Sequence, residues 1–100
     1  MVVLKNKFDF EELIKGDKVL VDFYAEWCGS CKAFEPIIDE LESQVEGLEV
    51  VKIDTDRFLS IAREQHVITV PNLKIFSNGK LVKETTGIKT KEELINFVSE

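Results

Sequence analysis

Trp27-Cys28-Gly29-Ser30-Cys31-Lys32 holds the only two cysteines of a 100-residue chain, three residues apart. The apolar run Val19-Leu20-Val21-Asp22-Phe23-Tyr24 leads into it. The helical pattern Phe34, Ile37, Ile38, Leu41, Val45 leads out. A strand therefore stops, a glycine-containing turn follows, and a helix begins with both thiols in or beside its first turn. The unpaired N–H groups and partial positive charge of a helix N-terminus stabilise a thiolate, so this placement favours redox chemistry.

Working outward, the spacing predicts an edge strand over Val2–Lys5 and a first helix opened by Asp9-Phe10-Glu11-Glu12 and ended by Gly16. Lys18–Tyr24 reads as a strand covered on both faces. The long helix is expected from Cys28 to Glu46, with Pro36 bending it and Gly47 stopping it. Leu48–Ile53 is a further strand, and Asp54-Thr55-Asp56 starts a short helix with Phe58, Ile61 and Ala62 inward. Asn72–Phe76 and Leu81–Thr85 flank Asn78-Gly79, a two-residue hairpin signal. Thr90-Lys91-Glu92-Glu93 is a capping box for the last helix. All seven phenylalanines are expected in the core. The order βαβαβαββα implies an α/β fold, a central mixed sheet of about five strands flanked by four helices, in one domain over residues 1–100.

Composition narrows the partners. With 13 Lys and Arg against 19 Asp and Glu, the net charge is −6 and the cations never cluster. Nucleic acid and anionic membranes both demand clustered cations, so neither is an expected partner. No apolar run approaches the about 18 residues of a membrane span. Met1–Lys5 lacks a basic segment followed by an apolar signal core, so the expectation is a cytoplasmic protein. Two cysteines in a reducing compartment point to catalysis before they point to a staple.

The bare Cys-x-x-Cys leaves other readings open. Structural zinc wants four ligands, and beyond this pair the chain offers one histidine, His66. Haem attachment needs histidine where Lys32 stands. A purely structural disulfide around so short a loop contributes little through chain entropy. Asp22 is the one acid inside an apolar strand, where a carboxylate is costly unless paired or used.

The chain resembles thioredoxin over nearly its whole length. The matching residues are Val21-Asp22-Phe23-Tyr24-Ala25-Glu26-Trp27-Cys28-Gly29, Cys31-Lys32, Pro36, Val51-Lys52-Ile53-Asp54, Val70-Pro71, Asn78-Gly79 and Gly87. The resemblance implies the thioredoxin-like fold and a thiol–disulfide oxidoreductase that reduces protein disulfides. It implies a thioredoxin reductase as electron donor, a monomer, and neither cofactor nor metal. Cys28 would be the exposed attacking thiol and Cys31 the buried resolving thiol. Asp22 would move the proton of Cys31, with Lys52 facing it. A cis Val70–Pro71 bond would pack against the cysteines and pair with a bound substrate strand. Trp27, Gly29, Ser30 and Gly87 would join Val70 and Pro71 in holding substrate, with Ile68 and Ile88 adding apolar surface.

Ser30 departs from the family pattern, in which proline stands between glycine and the second cysteine. Serine adds an N–H and a hydroxyl within reach of the Cys28 sulfur, which favours the thiolate and hence the reduced form. The expectation is a pair less reducing than thioredoxin's about −270 mV. His66, Thr69 and Asn72 also depart, around the expected docking loop. A disulfide isomerase or oxidase, or a non-catalytic binding module on the same fold, are the alternative functions.

Overall fold

The computed structural model describes residues 1–99, so the end of the expected domain at Glu100 lies outside the described residues. Five strands and four helices follow the expected order: β1 (Val2–Val3), α1 (Phe10–Leu13), β2 (Val19–Tyr24), α2 (Gly29–Gln44), β3 (Glu49–Asp54), α3 (Leu59–Glu64), β4 (Asn72–Ser77), β5 (Lys80–Thr86) and α4 (Lys91–Ser99). The sheet order is β1-β3-β2-β4-β5. β1, β3 and β2 run parallel, whereas β4 pairs antiparallel with both β2 and β5. Crossover helices join the parallel strands, as parallel pairing requires.

β2 lies at the centre, and its alternation sorts the two layers. Val19, Val21 and Phe23 face a core containing Phe10, Ile14, Phe58 and Ile61, which covers the sheet with α1 and α3. Leu20 faces the second core, where Phe34, Ile38 and Leu41 of α2 meet Leu94 and Val98 of α4. Asp22 shares the Leu20 side by the period of two, so the acid lies on the side of the sheet that α2 covers. Full burial of a side chain such as Phe23 contributes roughly 1.5–3 kcal/mol.

The turn chemistry follows the sequence. Asn78 and Gly79 both have positive φ, 53° and 83°, which is the two-residue hairpin geometry that matches strand twist. Thr90 and Glu93 exchange side-chain and backbone bonds at 3.0 and 3.1 Å, closing the capping box of α4.

Four expectations are corrected. Asp9 is the N-cap residue of α1 but makes no side-chain cap bond; the capping side chain is Asn6, one turn earlier, whose Oδ1 accepts from the Phe8 N–H at 3.0 Å. α1 begins at Phe10 as expected but ends after four residues at Leu13, short of Gly16, and a 3₁₀ turn over Lys7–Asp9 precedes it. This turn directs Phe8 outward, so Phe8 is 80% exposed and not in the core; the Lys7 ammonium lies 5.3 Å from its ring centre. The long helix ends at Gln44, with Val45 already extended and Gly47 at φ 79° turning the chain into β3.

Candidate active site

The two cysteines lie where β2 hands over to α2. Cys28 is the residue before the first helical turn, with extended φ and ψ of −83° and 104°. Its Sγ accepts the Cys31 N–H at 3.1 Å. A sulfur thus fills the capping role that a serine or aspartate oxygen usually takes, satisfying one orphan donor of the helix. When the same sulfur is a thiolate, that bond becomes charge-assisted and the helix dipole favours the charge. Ser30 Oγ lies 3.3 Å from Cys28 Sγ, so a second donor is within reach.

Cys28 and Cys31 are joined by a disulfide across a Cα–Cα distance of 5.2 Å. One helical turn supplies this separation without moving the backbone. The expected contrast of an exposed Cys28 and a buried Cys31 is absent in this oxidised form: the residues are 5% and 7% exposed. The bond draws both sulfurs into one cluster with Ala25, Tyr24 and Val70. What separates the two is direction. Cys28 Sγ approaches the Val70 carbonyl oxygen at 4.0 Å, beside the exposed loops. Cys31 instead lines a cavity of about 150 Å³ with Asp22, Glu35 and Lys52.

The Val70–Pro71 peptide is cis. The Gly87 N–H donates to the Pro71 carbonyl at 3.1 Å, and Gly87 holds a φ of 82° that suits glycine. Around this junction lies exposed apolar surface: Trp27 is 72% exposed, Ile68 is 93% exposed, and Ile88 is exposed as well. Trp27 is nonetheless tethered, because its indole N–H donates to Asp56 Oδ2 at 2.8 Å. Tyr24 O accepts both the backbone N–H and the hydroxyl of Thr55, at 2.9 and 3.1 Å, which locks the two loops together. An open groove runs from Trp27 and Asp56 past Leu59 and Arg63 to Ile68 and Val70. Apart from its chain neighbours and the backbone of its own helix, nothing lies within 4 Å of where a Cβ on Gly29 would sit, so the rest of the chain leaves this approach to Cys28 clear.

Beneath the disulfide, burial pushes the Asp22 carboxyl from an ordinary 3.8 to about 7. The Lys52 charge opposes the rise, while Glu35 and Asp39 add to it. Lys52 stands opposite Asp22 in the register of β2 and β3. Its ammonium bonds, however, go to Asp39 Oδ1 at 2.8 Å and Glu35 Oε1 at 3.2 Å. Burial pulls the Lys52 pKa down, but the bonds to Asp39 and Glu35 outweigh it and the net shift is upward. Asp22 Oδ1 has no hydrogen-bond partner. Glu35, Asp39 and Asp56 escaped sequence reasoning. Glu35 and Asp39 carried a signal, since acids four apart on a helix share one face. Asp56 carried none, because its bond to Trp27 spans 29 residues of chain.

A disulfide capping the first helix after the central strand, beside a cis-proline, defines a thiol–disulfide oxidoreductase. The thioredoxin family model matches residues 1–100. A thioredoxin of Chlamydia trachomatis is 34% identical over 99 residues, covering 99% of this chain and 97% of that one. A Staphylococcus aureus thioredoxin is 37% identical over 94 residues, covering 93% and 90%. A mutant thioredoxin from Halobacterium salinarum superposes with a TM-score of 0.92 at 31% identity, covering 98% of this chain and 87% of that one. The chain belongs to the thioredoxin family. Its activity is thiol–disulfide oxidoreduction of the protein-disulfide reductase type. Among the described residues no helix is long and apolar enough to cross a membrane.

Proposed function

We propose that Cys28-Gly29-Ser30-Cys31 is the active centre of a reductant for protein disulfides, reset by a thioredoxin-reductase-type partner in the cytoplasm. The observation that carries this reading is the Cys28–Cys31 disulfide at the start of α2, with the Cys31 N–H on the Cys28 sulfur.

Cys28, as thiolate, attacks one sulfur of a substrate disulfide. A mixed disulfide forms and the first substrate thiolate leaves. Cys31 gives its proton to Asp22 and attacks Cys28 Sγ. The mixed disulfide breaks, the second substrate thiolate leaves, and two electrons have passed from the pair to the substrate. A carboxyl with a pKa of about 7 takes and returns a proton readily near neutral pH. Lys52, across the register from Asp22, tempers the cost of its negative form. Trp27, Gly29, Ser30, Val70, Pro71 and Gly87 frame the approach to Cys28 and hold the substrate strand. The acting unit is one domain working as a monomer.

Replacing Cys28 by serine tests this. Turnover of protein disulfides falls to background in Cys28→Ser, whereas a binding module on this fold retains its function. Retained turnover in Cys28→Ser overturns the reading.

A second reading, disulfide isomerisation, is favoured by one observation, the Ser30 hydroxyl at 3.3 Å from Cys28 Sγ. A donor there stabilises the reduced pair and raises its potential towards the about −180 mV of protein disulfide isomerase. Equilibration with glutathione separates the two: a potential near −270 mV supports the general reductant, and one near −180 mV the isomerase.

A further inference from the structure

We propose that Glu35 and Asp39 are positioning residues for the thiol chemistry: from α2 they hold the Lys52 ammonium off Asp22, so that Asp22 remains a proton carrier and does not become a fixed ion-pair partner. This rests on the proton-transfer role given to Asp22 above.

Lys52 is a buried cation, and a buried cation must take an anionic partner. Three carboxylates compete for it. Asp22 is its neighbour across the sheet, where adjacent strands lie about 4.8 Å apart. Glu35 and Asp39 reach in from α2, four residues and one helical turn apart, on the face that covers Asp22. Both are solvent-facing, so each keeps part of its hydration while bonding the ammonium. Asp22 would have to ionise in a buried site to do the same. The desolvation cost decides the competition: the ammonium bonds at 2.8 and 3.2 Å to the two outer acids, and Asp22 Oδ1 makes no bond.

The other charges around Asp22 leave this arrangement undisturbed. Tyr24 is neutral across the working range, because burial raises its already high pKa. The Met1 ammonium at the cavity edge is bound to Glu42. Glu26 and Lys32 line the outer rim with opposite signs and are both exposed. Cys31 is the one cysteine among the residues that line the cavity with Asp22. Glu35 and Asp39 therefore act on Asp22 twice. They repel its negative form directly, and by bonding the Lys52 ammonium themselves they keep it from pairing with that form, leaving only its weaker field at Asp22.

The test is the rate at which dithiothreitol reduces the Cys28–Cys31 disulfide as a function of pH. A dithiothreitol thiolate attacks Cys28 Sγ, the Cys28–Cys31 bond breaks, and Cys31 leaves as a thiolate that takes the Asp22 proton. The second dithiothreitol thiol then displaces Cys28 and closes the cyclic disulfide. Expressed per dithiothreitol thiolate, the rate falls as Asp22 loses its proton. In Glu35→Gln/Asp39→Asn, this fall moves to lower pH by about one unit, the scale on which a nearby charge shifts a carboxyl. Glu35→Gln alone, a solvent-facing isosteric change, moves it in the same direction by less. A fall that stays in place in these variants, while Asp22→Asn abolishes it, overturns the proposal and leaves the Asp22 role standing. A fall that persists in Asp22→Asn overturns both. A purely structural role for Glu35 and Asp39 lowers stability without moving the profile.

Discussion

Asp22 and Lys52 stand opposite each other in the register of two parallel strands, yet no hydrogen bond or ion pair joins their side chains. The acid is thereby left in the fold with burial as its dominant influence, and its pKa rises from 3.8 to about 7. The folded state holds a proton that the unfolded chain releases across that window. The contribution of Asp22 to stability is therefore fully present below pH 3.8, declines as pH rises towards 7, and stays lost above it. Three pKa units correspond to about 4 kcal/mol at most. Asp22→Asn removes the ionisation but leaves a buried amide that still needs partners. Denaturant unfolding of the oxidised protein should show Asp22→Asn more stable than the parent by roughly 2–4 kcal/mol near pH 8, with the advantage gone below about pH 4. An equal difference at both pH values contradicts this.

The Ser30 hydroxyl acts on the redox pair itself. A hydrogen bond to the Cys28 thiolate stabilises the reduced state, and the net value of such a bond is about 0.5–1.5 kcal/mol. With about 30 mV to 1.4 kcal/mol, Ser30→Ala should lower the potential by roughly 10–30 mV. Equilibration with glutathione measures it. A rise in potential, or none, means the hydroxyl does not serve the thiolate.

Asp56 orients Trp27, the chain's one tryptophan, on an otherwise exposed loop. Asp56→Ala frees the indole N–H. Its fluorescence should change while the unfolding free energy falls by about 1 kcal/mol or less, the range of an exposed bond. KM for protein disulfides should rise. An unchanged emission spectrum would show that the tether does not hold in solution.

Ile68 separates docking from chemistry. It is 93% exposed beside Val70, so its apolar surface has a solvent-facing place in the groove and no packing role. Ile68→Asp should raise KM for a protein disulfide several-fold, leave kcat within about twofold, and leave reduction by dithiothreitol unchanged. Equal loss with both reactants would contradict a docking role.

Phe8 and Phe10 make a paired test of the fold. Phe8→Ala should change stability by no more than about 0.5 kcal/mol, as surface substitutions do. Phe10→Ala should cost about 3–5 kcal/mol, because Phe10 is buried and packs edge-on against Phe76 at 6.0 Å. Thermal or denaturant melts of the two variants decide it.

Legibility in the sequence followed locality. The near-continuous apolar run Val19–Tyr24, the helical spacing of Phe34, Ile38 and Leu41, the Asn78-Gly79 turn and the Thr90 capping box are signals within a few residues, and all appear in the fold. Phe8 misled because its direction is set by the Asn6-capped 3₁₀ turn, and hydrophobicity alone does not report that turn. At the site, the two cysteines, Asp22 and Ser30 were visible as residue types in context. The destination of the Lys52 ammonium was not. It depends on a competition among three carboxylates on two elements, settled by the burial of one and the exposure of the others.

The most direct test of the catalytic account is to mix Cys31→Ser with a disulfide-containing protein and map the adduct by mass spectrometry. A long-lived mixed disulfide on Cys28 is the predicted result, since the attacking thiol remains and the resolving thiol is gone. Absence of an adduct in Cys31→Ser, or an adduct on Cys31 with turnover retained in Cys28→Ser, would contradict it.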